Sequence, residues 1–97
     1  MASGTIPVIK GVNNYRTIYS GDDLNNYYGV DKGGFYYVGA SAANISNCPY
    51  GFCCLLVFSL ENNASFQMLF GRELYIRAYT GTNLTWSAWQ KATLTQV

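Results

Sequence analysis

The sequence predicts an all-β domain: a small antiparallel meander or sandwich-like knob with at most one short helix. Apolar and polar residues alternate with period two through most of the chain, the pattern of half-buried strands. Turn formers (Gly, Asn, Pro) separate these runs at short intervals. The 97 residues are enough for one domain, since single cores run to about 100–150 residues.

The elements follow in order. Residues 5–10 read as a short extended piece, confined to an edge or a strand start by Pro7. Residues 14–19 alternate Tyr15, Thr17 and Tyr19 against Arg16 and Ile18. The string Ser20-Gly21-Asp22-Asp23-Leu24 matches a helix cap, which predicts one or two helical turns over 22–28, ended by Gly29. Lys32-Gly33-Gly34 is a turn and 35–38 a strand. Residues 39–51 form the longest irregular stretch.

A run of hairpins comes next. Residues 52–60 place Phe52, Cys54, Leu56, Phe58 and Leu60 on one face, which is expected to be the core face of a central strand buried on both sides. Asn62-Asn63 turns the chain, and Phe66, Met68 and Phe70 point inward from 65–70. Gly71-Arg72 forms a two-residue turn, and Leu74, Ile76 and Ala78 oppose Glu73, Tyr75, Arg77 and Tyr79. After Gly81-Thr82-Asn83, residues 85–92 put Trp86 with Ala88 and, on the other side, Ser87 with Trp89. Four antiparallel strands in the C-terminal half need a lid over their apolar face. The N-terminal strands, the short helix, the long loop or a partner subunit can supply it.

Composition narrows the function. Charged residues are 11% of the chain and the net charge is +1, which supplies no basic patch for nucleic acid or anionic lipid. The absence of His removes Ser-His-Asp and Cys-His systems and HExxH zinc sites. Five carboxylates, mostly at turns or caps, make a poor glycosidase pair, so an enzyme is not expected. No cofactor motif is present. The apolar run 52–58 is far shorter than the ~20 residues of a membrane helix, and Met1–Thr5 carry neither part of a signal peptide. Cys48, Cys53 and Cys54 are odd in number and lack a His to complete a zinc site, so reduced thiols are expected, with Cys54 protected on the core face. Nine Asn, seven Ser, seven Thr and nine Tyr give a neutral surface suited to glycan contact or to packing against copies of itself.

The ordered set Asp23-Leu24-Asn25, Gly34-Phe35-Tyr36-Tyr37-Val38, Ala43-Asn44, Pro49, Leu55-Leu56-Val57, Gln67-Met68, Tyr75-Ile76-Arg77 and Trp86-Ser87-Ala88-Trp89 resembles the pyocin knob domain. That family occurs in tail-fibre and receptor-binding proteins of bacteriophages and phage-tail-like bacteriocins. The resemblance spans about 22–91. It implies a small β-rich knob, a homotrimer joined to the rest of a tail fibre, carried on the virion after synthesis in the bacterial cytoplasm. The Cys48–Cys54 cluster and the Tyr27-Tyr28 pair depart from the pattern.

Residues divide accordingly. Trp86 is expected in the core. Trp89 is expected either to stack on Arg77 as a cation–π pair or to join a subunit contact. Arg77 and Tyr36 are read as structural. Ligand contacts are expected in the long loop, from Asn44, Asn47 and Tyr50, helped by Tyr27 or Tyr28, because function concentrates in loops held by a scaffold. The favoured function is a non-enzymatic fibre tip that recognises a bacterial surface glycan. A trimerisation or spacer knob that binds nothing is the alternative.

Overall fold

The computed structural model describes residues 15–61, 64–82 and 84–97. The extended piece expected at 5–10 and the Asn62-Asn63 turn lie outside the described residues. The chain is all-β: a seven-stranded open sheet, with helical structure confined to 3-10 turns among the described residues.

The strands are β1 (Tyr15–Ile18), β2 (Gly34–Val38), β3 (Cys54–Glu61), β4 (Ala64–Phe70), β5 (Leu74–Thr80), β6 (Thr85–Trp86) and β7 (Gln90–Lys91). They lie side by side from β1 to β6, and β7 pairs with β5. The pairing is antiparallel except at the edge, where β1 runs parallel to β2. The sheet is therefore mixed, not purely antiparallel. A parallel pair needs a crossover, and residues 19–33 supply it.

That crossover holds 3-10 turns at Leu24–Asn26 and Val30–Lys32, in place of the longer helix expected over 22–28. Asp23, not Ser20, is the cap: its carboxylate accepts from the Asn25 N–H at 2.9 Å. Tyr27 ends the first turn, and Gly29 opens the second at φ 86°, a left-handed conformation that glycine tolerates. The Phe70-to-Leu74 hairpin has three loop residues, one more than expected. The WSAW segment is not one continuous strand: residues 87–89 are irregular between β6 and β7.

The lid is made of loops. Residues 19–33 and 39–52 fold over one face of the sheet and bury Ile18, Leu24, Val38, Ala40, Ile45, Leu55, Val57 and Leu69 with it. The loops also hold one another: Asp23 and Ser46 form a parallel bridge, and Gly21 N–H donates to the Asn44 carbonyl at 2.8 Å. Gly51 lies against this backbone so closely that a Cβ would run into the Ala40 carbonyl.

The phase of the sheet is the reverse of the one the apolar pattern suggests. The lidded face carries Cys53, Leu55, Val57, Ser65, Gln67, Leu69 and Arg77. The other face carries Phe58, Phe66 and Ile76, all exposed, with Leu56 and Met68 half-buried between them. Phe52 is 63% exposed and Phe58 52%, so β3 is central but buried on one face only. Polar need explains the inversion. A lid of irregular chain brings unpaired backbone groups onto the sheet, and buried backbone groups must be paired. Gln67 Nε2 donates to the carbonyls of Leu24 and Tyr27 at 2.8 and 2.9 Å, and Ser65 Oγ accepts from the Gly29 N–H at 2.9 Å. The face bearing Ser65, Gln67 and Arg77 can satisfy such a lid; the all-apolar face cannot.

Candidate ligand-binding surface

Arg77 organises the lidded side. It is 7% exposed. Its Nε donates to Gln67 Oε1 and one Nη to Asn25 Oδ1, each at 2.8 Å, while the other Nη is buried without a hydrogen-bond partner. The guanidinium lies between two indoles, 4.1 Å from the Trp86 ring centre and 4.5 Å from that of Trp89. Burial pulls its pKa down to about 10, against the opposing effects of Asp23 and Cys48. Both indole N–H groups are used: Trp86 donates to the Asn25 carbonyl at 3.1 Å and Trp89 to the Asn47 carbonyl at 2.8 Å.

Trp86 and Trp89 were expected on opposite faces with only Trp86 in the core. They are both half-buried and flank one cation, because the irregular 87–89 segment breaks the strand alternation. Truncating either to Ala is therefore expected to cost a similar amount, about 2–4 kcal/mol. Chemical denaturation of the two variants checks this.

The stack continues outward. Trp86 lies 5.1 Å from Tyr79, and Tyr79 stacks on Tyr28 at 4.5 Å with planes 25° apart. Tyr28 ends the row on the surface, 42% exposed. Tyr27 turns elsewhere, edge-on to Tyr36 at 5.1 Å, with its hydroxyl donating to Asp22 at 3.4 Å. Tyr36 is buried and donates to the Lys32 carbonyl at 2.6 Å, with Arg16 over its ring at 4.7 Å. Burial raises the pKa of both Tyr27 and Tyr36.

The loop candidates are scattered and largely engaged. Asn47 has φ 58°; its amide donates to Asp23 Oδ1 at 2.8 Å, which ties the loop to the crossover. Tyr50 lies over Tyr75, and its hydroxyl accepts from the Arg72 and Glu73 N–H groups at 2.7 and 3.3 Å. Asn44 is exposed and donates to Ser41 Oγ at 3.1 Å. Asn47 reaches the Arg77 network through Trp89 and Asp23, whereas Tyr50 sits by the β4–β5 turn. The double change Asn47→Ala with Tyr50→Ala thus strips two loop anchors and is expected to lower stability in chemical denaturation. The sequence signals missed at this site are Ser65 and Gln67, the two polar residues of β4.

The three cysteines are free. Cys53, not Cys54, faces the core; Cys54 is half-buried on the opposite face because of the inverted phase. Cys48 and Cys53 both donate to the Tyr50 carbonyl, at 3.2 and 3.4 Å. Burial, then neighbouring Cys48 and Cys54, pushes Cys53 from 9.0 up to about 12. Above pH 9 the unfolded chain gives up a proton that the folded chain keeps, so stability falls as pH rises. Below pH 9 this dependence vanishes. Cys48 and Cys54, also raised by burial, act in the same sense, and Arg77 acts in the opposite sense above about 10, so the three thiols together set the dependence between pH 9 and 10. Over that interval Cys53 contributes a loss of about 1 kcal/mol. Urea denaturation at pH 8 and pH 10 should show this loss, and Cys53→Ala should reduce it. Among the described residues no group of three or more His, Cys, Asp or Glu is placed to hold a metal.

No family model matches the chain, and no curated protein or solved structure is detectably similar to it.

Proposed function

We propose that the chain is a non-enzymatic module of a phage-type tail fibre that meets a neutral glycan on the bacterial surface. The observation that carries the reading is Tyr28. Its ring is stacked on Tyr79 at 4.5 Å and remains 42% exposed, so it is both held in place and open. A stacked aromatic ring offers flat contact area at low entropic cost, which suits the C–H face of a sugar. Asn26, Asn44 and Asn47 are exposed and neutral, with the amide groups of Asn44 and Asn47 already donating to Ser41 and Asp23. The ordered resemblance to the pyocin knob supports a fibre setting and display on the virion.

Each site is expected to bind weakly, and copies on one fibre to add avidity of about 10²–10⁴. A glycan array probed with the full chain tests this. Wild type should bind bacterial surface glycans, and Tyr28→Ala should lose at least about tenfold with an unchanged circular dichroism spectrum. Because Asn47 and Tyr50 are engaged in internal bonds, the spacer reading remains the second one. It prevails if the wild-type chain binds no glycan and no cell.

A further inference from the structure

We propose that Cys48 and Cys53 are a dithiol that a low-molecular-weight disulfide converts into an intrachain bridge, clasping the 39–52 loop to the start of β3. The two thiols meet at one atom. Cys48 Sγ donates to the Tyr50 carbonyl at 3.2 Å, and Cys53 Sγ donates to the same oxygen at 3.4 Å. The sulfurs are therefore no further apart than the sum of those distances. The chain is pinned on either side of them. The Asn47 carbonyl, one residue before Cys48, accepts from the Trp89 indole at 2.8 Å, and the Cys53 carbonyl accepts from the Val38 N–H at 2.9 Å. Between the two, Phe52 N–H donates to the Ala40 carbonyl at 3.3 Å. Cys54 is excluded from the pair, because adjacent strand residues point to opposite faces and it lies on the open one.

Exposure sets the order of events. Cys48 is half-buried, whereas Cys53 is 6% exposed, so Cys48 meets the reagent. Burial disfavours its thiolate, and the Tyr50 bond and the Arg77 guanidinium oppose that effect. The Cys48 thiolate attacks one sulfur of the reagent, forms a mixed disulfide and releases one small thiolate. The Cys53 thiolate then attacks Cys48 Sγ, forms the bridge and releases the second. The protein gives up two protons and two electrons, and the reagent leaves as two thiols. Proximity makes the second step intramolecular. The sulfurs must close to about 2.05 Å, a movement that a χ1 turn of half-buried Cys48 supplies. The thiol–carbonyl bonds given up are weak ones. Closing the loop 48–53 restricts the unfolded chain, so the oxidised form is the more stable. The proposal stands on the thiol geometry and does not depend on the glycan reading.

The test is incubation of the full chain with hydroxyethyl disulfide at about pH 8.5, where thiols are partly ionised, followed by acid quench and mass spectrometry. Chymotrypsin, which cuts after Tyr50 and Phe52, separates Cys48 from Cys53 unless a bridge joins them. In Cys54→Ser the expected product is lighter than the reduced chain by two hydrogen atoms, with the Cys48 and Cys53 peptides joined. The same bridge is expected in wild type, whatever adduct Cys54 carries. Dithiothreitol should reverse it, and the bridged chain should melt about 4–8 °C higher. Cys48→Ser and Cys53→Ser should each fail to form the bridge. Should the buried Cys53→Ser not fold, half-buried Cys48→Ser carries the comparison. Mixed disulfides without a bridge, unreacted Cys48 and Cys53, a bridge to Cys54, or a bridged chain that melts no higher than the reduced one each overturn the proposal.

Discussion

Arg77→Ala is expected to cost about 3–5 kcal/mol, from two acceptors left without a donor and a void between two rings. The change leaves Gln67 Oε1 and Asn25 Oδ1 without their donor and opens a void between the Trp86 and Trp89 rings. Buried acceptors left unpaired cost about 1–3 kcal/mol each. The effect also reaches the lid, because Gln67 is the donor for the Leu24 and Tyr27 carbonyls. Arg77→Lys should recover only part of the loss, since a point charge cannot replace the planar fork or stack between two indoles. A double-mutant cycle with Trp86→Ala should be clearly non-additive, as contacting residues are. Additive losses would show that the stack is decorative. Chemical denaturation of the variants provides the measurement.

Leu55→Ala should cost about 2–5 kcal/mol, the range for truncating a buried leucine. Leu55 is fully buried under the lid, between Tyr36 on β2 and Leu69 on β4. Its neighbour Leu56 lies on the open face. Leu56→Ala should cost clearly less than Leu55→Ala, since Leu56 is only half-buried and so loses less contact. Denaturation of the two truncations checks the contrast, and equal losses would mean that both faces are covered.

Much of the fold was legible because period two is a strong signal. Residues 74–80 alternate throughout, 64–67 alternate before an apolar end, and 54–58 form a short apolar run between turns, so their strands and hairpin order follow. The phase was not legible. Phe58, Phe66, Met68 and Ile76 form the more apolar face, and bulk hydrophobicity assigns that face to the core. What decides otherwise is the lid's carbonyls, whose positions depend on tertiary structure. Ser65 and Gln67, alternating with Ala64, Phe66 and Met68, were the local hints that the buried face had polar work to do. The parallel β1–β2 pair was hidden because its crossover has almost no regular structure. The Trp89–Arg77 pair could be read from adjacent strands, whereas Trp86 on the same cation could not, since residues 87–89 leave the strand pattern. Asn47 and Tyr50 looked free because loop residues carry no sequence mark of their internal partners.

The inverted phase is tested most directly by paired charge substitutions at adjacent positions of β3. Val57 is 1% exposed and Phe58 is 52% exposed. Val57→Asp buries an unpaired carboxylate, a cost of several kcal/mol, and should yield an unfolded chain by circular dichroism and tryptophan fluorescence. Phe58→Asp should give the native spectrum and a cooperative unfolding transition. A folded Val57→Asp chain beside an unfolded Phe58→Asp chain would contradict the assignment and return the apolar face to the core.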